Sequence, residues 1–250
     1  MPTVNIDGIL LNYQQANSEC ADGSILFIHG SGGSIDSWRC QMSNLPPGYT
    51  GIAIDLPGHG SSTGQPLRTV EEAALFITRL LQTLNLPRPI YLAGHSMGTA
   101  ISLYTARYYP EYADGLILVG SGAKLRVLPE RLESLARGEL NPEFTRQAFA
   151  ANAPAELVEK QIEAAKRNTA ELVFTDFSMC DRFDIREEVP NIKQKTLLIV
   201  GTEDKLTPVK YAEYLEKNLP DARLKIIENA GHYVMLEQPD EVNRTIREFV

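Results

Sequence analysis

The feature that most constrains the fold is an alternation between short apolar runs, ending in Gly, His or Asp, and longer segments of helical period. Such an alternation is typical of a parallel sheet wrapped by helices. Asp7 and Gly8 separate the first two runs and indicate a hairpin, so the sheet is expected to begin antiparallel and then become parallel. The eight predicted strands are residues 3–7, 9–13, 24–29, 51–55, 89–94, 115–120, 196–201 and 223–228.

Three helices are predicted from their end signals. Thr69, with Glu72 three positions later, forms a capping box that opens the first helix. The second begins directly after Ser96 and ends before Pro110, which forbids its continuation. The last begins at Pro239, whose fixed φ suits a first helical turn. The predicted ranges are residues 70–84, 97–109 and 239–250.

The strand rhythm disappears between Gly122 and Pro190. Pro129, Pro142 and Pro154 separate several short helical segments there. This stretch of roughly 65 residues is far longer than a βαβ link needs. We therefore predict one α/β domain whose core is residues 1–121 and 190–250, with an inserted helical lid at about residues 122–189. An ordinary pair of crossover helices is the alternative.

The amino-acid composition narrows the classes of partner that the protein is expected to bind. The chain of 250 residues is 43% hydrophobic and 22% charged, which suffices for one substantial core. Lys plus Arg number 24 and Asp plus Glu number 32, a net charge of −8. A nucleic-acid binder needs a positive field, and no basic run supplies one, so nucleic acid is not an expected partner.

The predicted localisation rests on three sequence patterns: secretory signals, membrane-spanning runs and cysteine spacing. The N-terminus has no pattern of a secretory signal, and no run is long and apolar enough to span a bilayer. Cys20, Cys40 and Cys180 are odd in number and widely spaced, which favours neither a disulfide framework nor a zinc ribbon. A cytoplasmic protein is expected.

The strongest local motif is GHSMG at residues 94–98, between a predicted strand and a predicted helix. A serine on so sharp a turn has a strained backbone, and Gly94 and Gly98 leave room for the chain to fold back. The turn exposes the Ser96 hydroxyl at the carboxyl edge of the sheet, where α/β folds bind ligands. Ser96 is the candidate nucleophile, and a buried serine in a tight turn is the alternative.

A serine hydroxyl needs a base, and histidine is the usual one near neutral pH. His232 follows the last strand and is the candidate base, with a surface histidine as the alternative. His95 is expected to point away from its neighbour Ser96. An acid must orient the base, and Asp204, just beyond the seventh strand, is the candidate, with Glu203 as its rival.

The glycine-rich segment FIHGSGGS at residues 27–34 follows the third strand. Its backbone can turn amide donors inward, so the amides of Ser31 and Met97 are expected to form an oxyanion hole beside Gly30, which would contact substrate. The competing interpretation is a phosphate-binding loop. It is disfavoured because neither a Walker lysine nor a complete G-x-G-x-x-G follows.

Together these motifs resemble the α/β-hydrolase family, in its lid-bearing serine esterase and lipase type. DLPGHGSS at residues 55–62 and Gly231 with His232 also match, and the blocks follow the family's order over nearly the whole chain outside the lid. The triad order Ser, Asp, His matches as well. The resemblance implies an eight-stranded sheet, a serine triad and no cofactor. Thr99 departs from the pattern, because many relatives have a third glycine there.

The function implied is hydrolysis of carboxylic esters of small to medium hydrophobic substrates through an acyl-enzyme, with no metal required. The expected partner is therefore a small-molecule ester. An apolar pocket under the lid would bind it. The residues predicted to line that pocket, besides Gly30, are Trp38, Phe149, Phe174 and Phe177.

Several alternatives stay open. Thioesterases and carbon–carbon bond hydrolases of ring-fission products use the same triad. The latter usually need cationic lid groups, and acidic residues in the lid are at least as numerous as arginines. The lid arginines include Arg126, Arg131, Arg146, Arg167 and Arg182. A small-molecule receptor on the same fold is a non-enzymatic alternative. A metal hydrolase that uses His29, His59 and His95 is another.

Overall fold

In the computed structural model, which describes residues 2–16 and 21–250, the strands form one sheet in the order β1-β2-β4-β3-β5-β6-β7-β8. All eight predicted strands are present, with ends that shift by up to a few residues. They are β1 Thr3–Ile6, β2 Ile9–Ala16, β3 Gly23–Ile28, β4 Tyr49–Ile54, β5 Ile90–His95, β6 Gly115–Val119, β7 Lys195–Gly201 and β8 Ala222–Ile227. The predicted fold class, a mostly parallel eight-stranded sheet flanked by helices, is confirmed.

The pairing of neighbouring strands changes from antiparallel to parallel once along the sheet. β1 pairs with β2 and β2 with β4 in antiparallel fashion, and every pairing from β4 through β3, β5, β6 and β7 to β8 is parallel. The predicted hairpin start is therefore confirmed. β3 lies between β4 and β5, with Ile28 in register with Gly94. The loops after β3 and β5 thus emerge side by side at the carboxyl edge, the usual ligand edge of such sheets.

The α-helices in the described residues are α1 Arg39–Met42, α2 Val70–Leu84, α3 Met97–Tyr108, α4 Pro129–Ala136, α5 Ala155–Ala165, α6 Ala170–Arg182, α7 Val209–Asn218, α8 Val234–Glu237 and α9 Pro239–Arg247. Thr69 Oγ1 accepts the amide of Glu72 at 3.2 Å, as the capping box predicts. The Glu72 carboxylate reaches the amide of Arg68 instead of that of Thr69. Within residues 2–16 and 21–250, none of the helices combines the length and the apolarity needed to cross a bilayer.

The central strands are buried on both faces because helices cover both sides of the sheet. Alternate residues of one strand therefore join different cores: Leu26 and Ile28 pack towards α2 and α3, whereas Ile25 and Phe27 pack towards α1 and α9. This rigid slab fixes the strand ends from which the site is built. Of the cysteines, Cys40 and Cys180 are free thiols, and Cys20 lies outside the described residues.

Helices α4, α5 and α6 lie between β6 and β7, in the segment 122–189 that we call the insertion. It carries two small apolar clusters of its own, around Leu172 and around Ile162. Met179 and Cys180 of α6 join the main core instead. The insertion is thus anchored to the sheet through α6. Its boundaries and its role as a lid stay predictions.

Candidate active site

Ser96 lies between β5 and α3 with φ 52° and ψ −113°, a backbone conformation that an L-residue rarely adopts. Its amide donates to the Val119 carbonyl at 3.0 Å. A Cβ on Gly94 would collide with the Gly98 carbonyl, and a Cβ on Gly98 with the Ile28 carbonyl. Both positions therefore need glycine, and the strained turn predicted from the motif is present.

The loop after β3, residues 29–34, which we call the β3 loop, approaches Ser96 closely. A Cβ on Gly30 would lie 3.0 Å from that of Ser96. The Gly30 carbonyl accepts the Gly33 amide at 3.0 Å and contacts His29 Nδ1 at 2.8 Å. Since a peptide carbonyl and the following N–H point in opposite directions, these bonds fix the direction of the Ser31 amide. Among the described residues neither the Ser31 amide nor the Met97 amide has a protein acceptor.

His29 is the internal support of this loop. Because its Nδ1 faces a carbonyl, it must donate, and its Nε2 accepts the Leu56 amide at 3.0 Å. One donating and one accepting nitrogen define a neutral imidazole. Burial, followed by the nearby His59, lowers the pKa of His29 to about 3, which agrees with that assignment.

The candidate base and acid meet at the same edge. His232 Nδ1 lies 2.8 Å from Asp204 Oδ2, and both side chains are buried. Asp204 Oδ1 accepts the amides of Leu206 and Thr207, at 2.9 and 2.8 Å, and the Thr207 hydroxyl donates to Oδ2 at 2.8 Å. Burial opposes ionisation, but His232 and Thr207 outweigh it and hold the pKa of Asp204 below its ordinary value. The rival Glu203 instead accepts the Ala151 amide.

The backbone of His232 is held at both ends. Its amide donates to the Ala148 carbonyl of the insertion at 2.7 Å, and its carbonyl accepts from His95 Nε2 at 3.0 Å. The rings of His95 and His232 are 4.7 Å apart. Burial and the neighbouring His232 lower the pKa of His95 to about 3. From the sequence, His95 is expected only to point away from Ser96 or to serve in the alternative metal site; its bond to the His232 carbonyl is not predicted.

A cavity of about 1110 Å³ opens above these groups, between the sheet edge and the insertion. Ser96, His232 and the predicted residues Gly30, Ser31 and Phe177 line it. Its wall also carries six cationic side chains that form no ion pair with a carboxylate among the described residues: Arg126, Arg131, Lys160, Arg167, Lys205 and Lys210.

Three predicted pocket residues need correction. Trp38 is fully buried against Phe27 on one face of the sheet. Phe149 stacks on Tyr233 at 5.0 Å between ring centroids, and Phe174 packs in the apolar cluster around Leu172. None of the three lines the cavity. Aromatic size alone did not indicate which side of an element faces the cleft.

The alternative prediction, a metal site built from histidines, is not matched by the arrangement of the described residues. Among residues 2–16 and 21–250, no cluster of three or more His, Cys, Asp or Glu side chains is disposed to hold a metal ion. His29 and His59 are neighbours, with ring centroids 4.8 Å apart, but the nitrogens of both are hydrogen-bonded within the protein.

Comparison with known proteins agrees with the family resemblance that the sequence motifs show. A family model described as the alpha/beta hydrolase fold matches residues 23–239. A solved structure of a thermophilic esterase is 34% identical, with a TM-score of 0.84, over 99% of this chain and 96% of that one. The chain therefore belongs to the alpha/beta hydrolase fold family, and it is a hydrolase with esterases among its relatives.

Two relatives differ in the substrate that their names give. The pimeloyl-[acyl-carrier protein] methyl ester esterase of Neisseria meningitidis is 27% identical over 244 residues, 90% of this chain and 93% of that protein. The 2-hydroxy-6-oxo-6-phenylhexa-2,4-dienoate hydrolase of Comamonas testosteroni is 28% identical over 271 residues, 98% of this chain and 93% of that protein. Protein ABHD8 of Mus musculus is longer, and the chain spans 55% of it. The comparisons leave the substrate class open.

Proposed function

We propose that this protein is a serine hydrolase that cleaves carboxylic esters of small to medium hydrophobic substrates through an acyl-enzyme. The observation that carries the proposal is the 2.8 Å contact between His232 Nδ1 and Asp204 Oδ2 in the wall of the cavity that Ser96 also lines. Because Nδ1 donates to the carboxylate, Nε2 keeps the lone pair that a general base needs.

The reaction begins when His232 Nε2 takes the proton of the Ser96 hydroxyl as its oxygen attacks the ester carbonyl. The amides of Ser31 and Met97 stabilise the negative oxygen of the tetrahedral intermediate. His232 then protonates the leaving alcohol, and the acyl group stays on Ser96. A water molecule, deprotonated by His232, attacks the acyl carbon, and collapse of the second intermediate releases the acid and restores the serine.

The test is Ser96→Ala, assayed on a short-chain aryl ester and on a fluorophosphonate probe that phosphonylates an activated serine. We expect kcat to fall on the order of 10⁶-fold with the fold retained. The wild type should be labelled at residue 96 with loss of fluoride, and the variant not at all. Full hydrolysis by Ser96→Ala contradicts the proposal, and so does a wild type that neither hydrolyses esters nor reacts with the probe, the outcome that a receptor would give.

The excess of cationic over acidic side chains in the cavity wall, six against Asp36, Asp55 and Glu171, favours a second candidate: hydrolysis of a carbon–carbon bond in a carboxylate-bearing dienoate. Six cationic groups without carboxylate partners in the described chain would attract such a substrate, and one relative is named as a dienoate hydrolase. A panel of esters, thioesters and a ring-fission dienoate separates the candidates by kcat/KM. A dienoate preferred by more than about tenfold, that is, by about 1.4 kcal/mol, would favour the second.

A further inference from the structure

The insertion holds Gly32 of the β3 loop at both of its backbone groups. The Gly32 amide donates to Asp176 Oδ2 at 2.7 Å, and its carbonyl accepts from Asn168 Nδ2 at 2.8 Å. Gly32 has φ +60°, and a Cβ there would lie 2.8 Å from Asn168 Nδ2. Asn168 precedes α6 and Asp176 lies within it. Two side chains of the insertion therefore form hydrogen bonds with Gly32, which adjoins the proposed oxyanion donor Ser31.

Asp176 has a second hydrogen-bond partner, His59. Asp176 is 1% exposed, and its Oδ2 also lies 2.9 Å from His59 Nε2. His59 Nδ1 faces the Pro57 carbonyl at 3.1 Å. Since a carboxylate and a carbonyl both only accept, both ring nitrogens must donate, and His59 is an imidazolium. Burial lowers the pKa of His59, but Asp176 outweighs it and the net direction is upward. The pair joins α6 to the loop after β4.

We propose that Asp176 is a positioning residue for ester hydrolysis: through Gly32 it holds the β3 loop so that the Ser31 amide points at the developing oxyanion, and His59 orients its carboxylate. The peptide between Ser31 and Gly32 is planar, so a fixed Gly32 N–H fixes the Ser31 carbonyl as well. The neighbouring peptide, which carries the Ser31 N–H, is held at the Gly30 carbonyl. Ser31 thus lies between two restrained planes.

One consequence is that the position of α6 against the sheet affects the rate of ester hydrolysis. If α6 moves away from the sheet, Gly32 loses the acceptor for its N–H and the donor for its carbonyl, and the β3 loop can rotate. Preorganised donors are what makes an oxyanion hole effective, and one lost donor typically costs about 10² to 10³ in rate. A displaced donor should cost less than a lost one. The inference rests on the proposed serine hydrolase function.

The test compares Asp176→Ala with Asp176→Asn and with Asp181→Ala. Asparagine keeps an oxygen that can accept the Gly32 amide. Asp181 is an exposed acid of the same helix that accepts the Val127 amide at 3.1 Å, away from the β3 loop, so it is a matched control. We expect Asp176→Ala to lower kcat for a short-chain aryl ester by about 10- to 100-fold with KM within about threefold. The other two should stay within about threefold of wild type in both constants.

A transition-state analogue separates positioning from mere structural support. A trifluoromethyl ketone adds the Ser96 oxygen to its carbonyl and forms an oxyanion, whereas the ester ground state does not. Asp176→Ala should weaken inhibition by the ketone about as much as it lowers kcat/KM. If Asp176→Ala only lowers the melting temperature, and kcat and ketone affinity of the folded protein stay at wild-type values, the inference is overturned.

Asn168→Ala tests the same contact between the insertion and Gly32 if Asp176→Ala does not fold. It is the milder change, because Asn168 is only partly buried and carries no charge. It should lower kcat by about 3- to 10-fold at constant KM, and an unchanged kcat overturns the inference. The fluorophosphonate probe distinguishes the two levels of proposal. A wild type that is not labelled contradicts the proposed function. A labelled wild type with Asp176→Ala and Asn168→Ala labelled at the same rate contradicts only the positioning role.

Discussion

The molecule contains two buried His–Asp pairs of nearly equal geometry. His232 Nδ1 lies 2.8 Å from Asp204, and His59 Nε2 lies 2.9 Å from Asp176. They differ in the other ring nitrogen. His232 Nε2 has no protein partner in the described part of the chain, and His232 lines the cavity, whereas His59 Nδ1 is bound to the Pro57 carbonyl. A histidine can accept a proton only on a nitrogen with a free lone pair, so only the first pair suits a general base.

The two carboxylates differ as well. Asp204 receives hydrogen bonds on both oxygens from the turn that carries it, so the acid is held independently of the base. Asp176 receives bonds on Oδ2 from two distant segments, and its buried Oδ1 has no partner in the described structure. The first arrangement fixes one side chain, and the second fastens segments to each other. The surrounding hydrogen bonds, and not the His–Asp distance, therefore separate the pair proposed to react from the pair proposed to position the loop.

The largest difference in kcat is expected between substitutions of the two histidines, His232 and His59. His232→Gln removes the base and should lower kcat on the order of 10⁶-fold, as loss of a triad histidine does elsewhere. His59→Gln leaves the base in place and should lower kcat by about tenfold, through looser positioning alone. Steady-state kinetics on one aryl ester measures both. Equal losses would mean that His59 takes part in the chemistry.

The next largest difference is expected at the acids beyond β7. Asp204→Asn keeps the shape but favours the wrong tautomer of His232, and kcat should fall by about 10⁴-fold. Glu203→Gln is the matched control, because Glu203 is only partly buried and its carboxylate accepts the Ala151 amide at 2.9 Å. It should stay within about threefold of wild type. A crippling effect of Glu203→Gln instead would move the acid to Glu203.

The sequence predicted the first pair's surroundings but not the second pair. Each strand of the buried sheet is an apolar run, so the strands and the loops that follow them could be placed, and parallel strands bring those loops to one edge. Ser96, Asp204 and His232 each follow such a strand. Strand ends were off by one or two residues at most positions, and β2 extended to Ala16, because end signals are weaker than the apolar runs.

The pair of His59 and Asp176 had no comparable signal. The two residues are 117 positions apart, and one lies on a helix of the insertion whose packing has no motif. An acidic residue in an amphipathic helix is normally solvated, so Asp176 carried no mark of burial. The same limit explains why Phe149 and Phe174 were misplaced: helical periodicity gives an apolar face, but not the surface that covers it.

The smallest effect concerns stability, and its pH dependence tests the charge of the positioning pair. The folded pKa of His59 is raised above its ordinary value, because Asp176 outweighs burial. The folded state therefore holds the proton more tightly, and the resulting stability is complete below the unfolded pKa of about 6.5 and is lost as pH rises through the folded pKa. The other charged and titratable neighbours are His29, which stays neutral with a pKa of about 3, and Asp55. They do not reverse this sign.

His59→Gln should therefore lower the free energy of unfolding by about 3 to 5 kcal/mol at about pH 6, since it leaves a buried carboxylate without its cation. The difference from wild type should shrink as pH rises through the raised folded pKa of His59, because the wild-type imidazolium then loses its proton. Urea unfolding at a series of pH values measures it. Arg88→Gln, which breaks the half-exposed ion pair with Asp114, is the control and should cost about 1 kcal/mol or less without this trend. A difference that grows with pH would mean that His59 is neutral in the fold, and the contrast between the two pairs would then have to rest on the position of their free nitrogen alone.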